Sequence, residues 1–189
     1  MSPYKLVATL LFAFVLIGCT ITRQTLSIPA NSSFVADPDC AVIIKAQQLM
    51  LEVPGTREYS ARPDPSGEMK NEKLHSVLTA DALYYMTNAG WKKLDRKEWA
   101  AEGAAMIKER RYSGCKAVGE EAVNGTPTTR YELHYEMSAG DRRALISRGL
   151  IIKDPIGHIW VGADGLMYKM LMPPFAMARY EFGTFEAPK

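Results

Sequence analysis

The stretch CKAVGEEAV-NG-TPTTRYELHYEM, residues 115–137, decides the fold. Two strand-like arms flank Asn124-Gly125, a dipeptide that favours a tight two-residue hairpin turn. In the second arm Tyr131, Leu133 and Tyr135 alternate with polar or charged residues. Because successive side chains of a strand point to opposite faces, this alternation predicts a hairpin with one buried face and one solvated face.

The sequence on both sides of this hairpin predicts two longer helices and further strands. Asp37-Pro38 is typical of an N-cap followed by a first-turn proline, which predicts a helix to about Met50. Asp95 and Glu98 have the spacing of a capping box and predict a second helix that ends before Gly114. The apolar stripe of that helix is expected to dock on a sheet and contains Trp99, Gly103, Met106 and Ile107. Strands are predicted at residues 72–79, 82–87, 91–94, 150–153, 158–161, 166–172 and 177–185, and a short helix at 141–148.

This order of elements is typical of one fold class. Sequential hairpins with few helices predict an α+β fold that is mainly β. We expect a strongly curved antiparallel sheet, with helices packed against one of its faces. The turn at residues 163–165 joins two of the late strands, and Pro173-Pro174 ends the second of them because proline cannot donate to the strand ladder.

The N-terminus carries an export signal. An apolar run at residues 6–17 follows Lys5 and leads into Leu16-Ile17-Gly18-Cys19. A basic start, an apolar run and a small residue form a secretory signal, and the run is shorter than the roughly 20 residues of a membrane span. Its last four residues resemble the lipobox of bacterial lipoprotein precursors. The resemblance implies that residues 1–18 are removed and that Cys19 carries the lipid (palmitate among its acyl chains). An ordinary signal peptide with an incidental cysteine is the alternative.

The lipid anchor implies a place in the cell envelope. Stable attachment needs at least two acyl chains, and lipoproteins of this class carry three. Thr20 follows the cysteine, where an aspartate would favour the inner membrane, so we expect the outer membrane facing the periplasm. Residues 19–36 then form the lipidated cysteine and a flexible polar tether, and residues 37–189 form the folded domain.

Composition limits the possible partners. The chain has 189 residues and a formal net charge of +2, and removal of residues 1–18 leaves 171 residues, enough for one domain with a core. This charge is too small for a nucleic-acid-binding face. Cys40 and Cys115 remain once Cys19 is lipidated, and in an oxidising compartment two cysteines predict a disulfide. Two buried thiols are the alternative.

The late part of the chain supports a family resemblance. HIWVGADGLMYK, residues 158–169, has an apolar-Trp-apolar strand, an acidic-Gly turn, and then leucine and a basic residue. It resembles the late hairpin of the bacterial lipoprotein carrier and acceptor superfamily (LolA/LolB-type), and RYEFGTFE at 179–186 resembles that family's closing strand. The resemblance implies a half-barrel with helices covering its concave face, and an apolar hollow that holds an acyl chain. Met167 departs from the proline common in the family, and a disulfide is not a general family feature.

The hollow implied by this resemblance supplies the candidate ligand site. We expect a non-enzymatic lipoprotein that binds an acyl chain, a lipid or a lipidated protein, with a role in envelope lipoprotein or lipid trafficking. The side chains expected to line or cap the hollow are Trp99, Tyr131, Leu133, Tyr135, Trp160, Leu166, Tyr168 and Met170. A fully packed core is the alternative, and the chain would then be a structural or interaction lipoprotein that binds an envelope protein.

Other chemistry is less well supported by the sequence. The histidines, at positions 75, 134 and 158, lack the H-E-x-x-H spacing of a metalloenzyme. The late methionines with His158 would suit copper(I), but strand parity predicts that Met167 and Met170 point to opposite faces. Ser113 begins an S-x-x-K match whose companion motifs are absent, and no G-x-S-x-G occurs. We therefore predict no catalytic residue, metal ligand or cofactor.

Overall fold

The computed structural model describes residues 37–61, 71–136, 155–173 and 176–189, all of which belong to the compact unit Ala36–Lys189. The predicted signal, the lipidated cysteine, the tether, the helix at 141–148 and the strand at 150–153 lie outside these residues. The described helices are α1 (Ala41–Met50) and α2 (Arg96–Glu109). The described strands are β1 (Thr56–Ala61), β2 (Lys73–Leu78), β3 (Ala82–Thr87), β4 (Gly90–Asp95), β5 (Tyr112–Val123), β6 (Thr126–Tyr135), β7 (Ile156–Gly162), β8 (Met167–Met172) and β9 (Ala176–Phe182). In this part of the chain, no helix has the length and apolar character needed to cross a membrane.

Asp37 caps the first helix, as predicted. Its Oδ1 accepts a hydrogen bond from the Asp39 N–H at 3.0 Å, and its Oδ2 accepts one from the Gly114 N–H at 2.7 Å. Pro38–Cys40 form a single 3-10 turn, which α1 continues to Met50. One carboxylate therefore starts the helix and also ties that start to β5.

The second helix begins where the sequence predicted and ends earlier. Asp95 Oδ1 accepts hydrogen bonds from the N–H groups of Lys97 and Glu98, at 2.8 and 3.3 Å. The chain is already extended at Arg110, and Gly114 lies inside β5 with φ +61° rather than at the helix end. The expected docking of Met106 is also wrong, since this residue is 55% exposed. The reason is that α2 contacts the sheet chiefly at β3 and β4, at one edge.

The β5–β6 hairpin forms as predicted. Asn124 and Gly125 have φ values of 54° and 79°, the left-handed conformation that a tight hairpin turn requires. Val123 pairs with Thr126 across the turn, and the pairing continues down both arms. Leu133 is completely buried on one face of the second arm.

The sheet must curve because of how its edges are connected. Its strand order is β4-β3-β2-β1-β9-β8-β7-β6-β5, and each neighbouring pair is antiparallel. In a flat sheet the two edge strands would be about 38 Å apart, at about 4.8 Å per strand. The connection between them is α2, whose 14 residues span only about 21 Å. The sheet of nine strands is therefore curved. Within the described residues the two edge strands, β4 and β5, do not pair with each other, so the sheet is open.

The strand register assigns side chains to the two faces of the sheet. Tyr131, Ile159, Met170 and Ala178 form one row across β6 to β9, and all four belong to the core beneath α1. We call this side the helix-packed face. The neighbouring row, made of Arg130, Trp160, Lys169, Arg179 and Tyr59, lies on the opposite face.

A β-bulge changes the parity of β8. Trp160 pairs with Lys169, but the next residue, Val161, pairs with Met167, which makes Tyr168 the extra residue. The bulge places Met167 in the same core as Met170, so the predicted opposition of these two side chains is wrong.

The centre of the helix-packed face is a dry, filled core. Ile43 of α1 packs there with Leu133 and Ile159, and each of the three has no exposed surface. The predicted Cys40–Cys115 disulfide is present at the edge of this core, with a Cα–Cα distance of 5.0 Å. It fastens the start of α1 to β5.

Candidate functional site

Among the cavities lined by described residues, two lie where the helices meet the sheet. The larger, which we call the groove, lies between α1 and strands β5 to β7 and has a volume of about 650 Å³. The smaller, which we call the α2 cavity, lies beneath α2 against β1, β2, β3 and β9, with a volume of about 280 Å³. Ligand sites in proteins usually have volumes of about 300–1,000 Å³, so the groove is large enough for a ligand and the α2 cavity suits only a small one.

The groove combines apolar and charged side chains. Its apolar lining is built from Val42 and Leu49 on α1 and from Tyr131 and Val161 on the sheet. The helical pair is spaced seven residues apart, so both side chains lie on the helix face that meets the strands. Charged residues also line the groove, namely Lys45, Glu120, Glu121 and Asp164. Such a lining suits an amphiphile, because its tail and its polar group each meet a matching surface.

The carboxylates of Glu121 and Asp164 are held in place. Glu121 accepts a hydrogen bond from the Trp160 indole N–H at 2.9 Å, and its other oxygen lies 3.6 Å from the Lys169 ammonium, so its carboxylate lies on the opposite face of the sheet from α1. Asp164 accepts one from the Tyr168 hydroxyl at 2.9 Å. Burial, and then this bond to Asp164, raise the pKa of Tyr168. The phenol therefore stays a neutral donor at physiological pH.

The α2 cavity has apolar walls and a polar group of residues on β1 and β2. Its walls come from Met50, Leu78, Leu83, Tyr85, Trp99 and Tyr180. Ser76 donates its hydroxyl to Glu58 Oε2 at 2.9 Å, while the Thr56 hydroxyl is buried without a partner. Burial, and then the charge of Glu58, raise the pKa of Tyr180, which remains a neutral phenol. This cavity can therefore offer a ligand both an anionic and an uncharged hydrogen-bonding group.

Among the described residues, the eight predicted site residues lie in several different places. Tyr131 lines the groove and Trp99 lines the α2 cavity. Leu133, Tyr135 and Met170 belong to the filled core between them, either buried or packed against it. Within the described part of the chain, these residues are therefore divided between the groove, the α2 cavity and the packed core.

The three remaining predicted residues lie away from the packed centre. Trp160 is buried on the opposite face, with the Lys169 ammonium 4.3 Å from its ring centroid. Leu166 lies just before β8, where its N–H donates to Asp164 Oδ1. Tyr168 is the bulge residue, and its ring meets that of Phe182 edge-on at 5.0 Å. The placement of Trp160 follows from β-strand parity, since both of its neighbours in β7 point into the core.

The polar residues of the α2 cavity were not predicted from the sequence. Thr56, Glu58 and Ser76 lie on strands in which polar and apolar residues alternate only weakly. No spacing in the sequence indicates which residues of β1 pair with which residues of β2. The available signal was a glutamate at the centre of β1, a strand for which the sequence patterns gave no bounds. Among the described residues, no group of three or more His, Cys, Asp or Glu side chains could hold a metal ion.

In comparisons with known proteins, this chain is similar to solved structures in fold alone. No protein-family model and no curated protein sequence matches this chain. It is similar to LprF from Mycobacterium bovis, at 11% identity and a TM-score of 0.38, over 80% of this chain and 94% of LprF. It is also similar to the lipoprotein LppX of Mycobacterium tuberculosis, at 11% identity and a TM-score of 0.39, over 78% of this chain and 96% of LppX. We therefore infer function from the residues of this chain.

Proposed function

We propose that this chain is a lipid-anchored lipoprotein of the cell envelope that binds an acyl chain or lipid in the groove. The observation that carries the proposal is the groove itself, of about 650 Å³, with Val42, Leu49, Tyr131 and Val161 among its lining. In this proposal the curved sheet is a half-barrel whose concave face is covered by the helices. The support is that α2 connects the two edge strands, β4 and β5. The groove is then the part of the hollow that the packed core leaves free.

Apolar burial would supply the binding energy. Each methylene removed from water contributes about 0.8 kcal/mol, so a tail that covers the apolar lining offsets the loss of translational freedom. The charged residues of the groove give the other end of an amphiphile a polar surface. Lys45 is the cation among them and would face an anionic head group. The proposal includes no catalytic step.

The groove is tested with a fluorescent fatty acid and the full-length chain purified in a nonionic, sugar-headed detergent. Leu49→Gln places an amide in the apolar lining and should weaken binding about tenfold, a loss of ~1.4 kcal/mol. The matched control is Met106→Gln, which makes the same kind of change at an exposed position of α2. Equal affinities in the two variants would rule out the groove as the site.

Native mass spectrometry provides a second, independent test. The protein is exported in bacteria, and its mass is measured before and after organic extraction. A lipid-sized adduct that is lost on extraction supports the proposal. Absence of an adduct, together with failure to bind the fatty acid, excludes it.

The membrane anchor and its location form a separate part of the proposal. The support is the sequence at residues 16–19, which places Cys19 after an apolar run and a small residue. We expect Cys19→Ala to abolish incorporation of labelled palmitate and to release the protein from the outer-membrane fraction. Retention of label in that variant would show that the anchor is elsewhere.

A structural or interaction lipoprotein is the second candidate, and one observation favours it. Ile43, Leu133 and Ile159 fill the middle of the helix-packed face, where a long ligand would have to pass. In this alternative the chain serves an envelope protein partner and takes no lipid. Crosslinking in intact cells that gives one defined partner, with an empty groove in the native mass spectrum, would favour it.

A further inference from the structure

The α2 cavity carries an anionic group, and no lysine or arginine is among its described lining. Glu58 supplies the carboxylate, and the other described polar residues of the lining are Thr56, His75 and Ser76. Ser76 donates one hydrogen bond to this carboxylate at 2.9 Å. An ionised carboxylate can accept several further hydrogen bonds, so Glu58 retains capacity toward the cavity.

Thr56 adds an uncharged polar group to the same cavity. Only 6% of this residue is exposed, and within the described residues its Oγ1 has no hydrogen-bond partner. A buried hydroxyl left unpartnered is unfavourable, and native structures seldom retain one unless water or a ligand satisfies it. Thr56 is one of the residues that line the α2 cavity, where a ligand or a water molecule would supply this partner.

Aromatic rings form much of the remaining wall. Tyr85, Trp99 and Tyr180 come from three different elements, β3, α2 and β9. The faces of such rings attract cations, and tryptophan does so most strongly. A carboxylate combined with aromatic walls favours a cation that carries apolar substituents over a small, strongly hydrated metal ion.

We propose that the α2 cavity binds an organic ammonium group, with its positive charge toward Glu58, its alkyl substituents against the aromatic walls and a hydroxyl or N–H paired with Thr56. The volume of about 280 Å³ limits the ligand to a small amine or to the head of a larger molecule. This site is separate from the groove and does not depend on acyl-chain binding there. Failure of one site in its own assay leaves the other assay unaffected.

Choline and its uncharged carbon isostere, 3,3-dimethylbutan-1-ol, provide the test. Both have the same shape and the same hydroxyl, and they differ in the charge that Glu58 would recognise. Saturation-transfer NMR and calorimetric titration of the full-length chain in a nonionic detergent should show choline binding at least about tenfold tighter, a difference of ~1.4 kcal/mol. Equal affinities, or no binding of choline, would overturn the proposal.

Variants identify the residues responsible. Glu58→Gln keeps the shape of the side chain and removes its charge, so the preference for choline over its isostere should disappear. Glu186→Gln makes the same change at an exposed residue after β9 and should leave the preference intact. An unchanged preference in Glu58→Gln would contradict the assignment. If that variant does not fold, the comparison of the two ligands on the unaltered protein still decides the question.

Thr56→Val tests the unpartnered hydroxyl by a second route. Valine keeps the volume and removes the group that lacks a partner, so the variant should unfold at a higher urea concentration than the unaltered protein. Its affinity for choline should fall, while its affinity for tetramethylammonium, which has no hydroxyl, should change little. Equal loss for both ligands would show that Thr56 does not contact the ligand's hydroxyl.

A final arm distinguishes the two sources of an ammonium group. Dihexanoylphosphatidylcholine is added as a competitor against bound choline. Competition at comparable concentration indicates that the site accepts a lipid head group. Lack of competition indicates a free amine, because the phosphate would then be excluded by the Glu58 charge. Both results require choline binding, so both support the ammonium site.

Discussion

Gly183 donates its N–H to the carbonyl oxygen of Gly55 at 3.3 Å, where β1 and β9 come together. The backbone approach at this point is very close. A Cβ at Gly55 would lie 2.5 Å from the Gly183 carbonyl oxygen and 2.9 Å from that of Leu78. At Gly183 the nearest atom to such a Cβ would be a ring carbon of Phe185, at an ordinary 3.4 Å. Gly55 and Gly183 are hydrogen-bonded to each other, yet they differ in their tolerance of a side chain.

We expect Gly55→Ala to destabilise the protein by about 1–3 kcal/mol, because the clash is with backbone that can yield only by shifting strands. Gly183→Ala is the matched control and should change the free energy of unfolding by less than about 0.5 kcal/mol. Urea denaturation followed by circular dichroism measures both. Similar losses in the two variants would show that the close approach is not the cause.

Arg96 joins the start of α2 to two other segments of the chain, Val53-Pro54 and Thr79. Its guanidinium donates to the carbonyl oxygens of Val53, Pro54 and Thr79, the last at 2.7 Å. We expect Arg96→Met to cost about 1–3 kcal/mol, since hydrogen bonds of a charged donor are lost and buried carbonyls are left unpaired. Lys97→Met, at the exposed neighbouring position, should be close to neutral in the same urea measurement. A neutral Arg96→Met would refute this role.

The Cys40–Cys115 disulfide joins residues separated by 75 positions. By the chain-entropy account, a loop of this length contributes about 4 kcal/mol. The double variant Cys40→Ala with Cys115→Ala should lose a stabilisation of this order and should no longer respond to reductant. The unaltered protein should show the same loss on reduction in a urea titration. Insensitivity of the unaltered protein to reductant would mean that the bond does not form in solution.

His158 makes stability depend on pH. Burial, and then the positive charge of Arg130, lower the pKa of its imidazole, while Glu132 raises it more weakly. The unfolded state therefore binds a proton at a higher pH than the folded state, so stability falls as pH drops below about 6.5, the ordinary histidine value. We expect the urea midpoint to fall between pH 7.5 and pH 5.5, and to fall less in His158→Gln. If the urea midpoint of His158→Gln fell as much as that of the unaltered protein, the pH dependence would come from another group.

Local signals predicted most of the element boundaries. Asp37 and Asp95 start the two helices because a carboxylate satisfies the free N–H groups of the first turn. Asn124 and Gly125 fix the β5–β6 hairpin because both adopt the left-handed conformation. In each case the cause lies within a few residues of the element, so the sequence contains the necessary information.

The candidate sites were predicted less completely. Trp160 was assigned to the hollow as a large aromatic residue, but it lies on the opposite face because Ile159 and Val161 occupy the core. Met167 was assigned by strict alternation, which the bulge at Tyr168 interrupts. Glu58 and Thr56 were missed, because their meeting with Ser76 depends on the pairing of β1 with β2.

The sequence by itself indicated where most of the described helices and strands begin, which turns join them, and a disulfide between Cys40 and Cys115. The helix starts and the turns depend on hydrogen bonds and backbone conformation within a few residues. The disulfide was expected because two cysteines remain once Cys19 is lipidated. The tertiary structure decided that β1 pairs with β9, that β4 and β5 are the edge strands of the sheet, and that a packed core lies between the groove and the α2 cavity. These depend on packing between residues more than a hundred positions apart, for which no short-range pattern in a single chain exists.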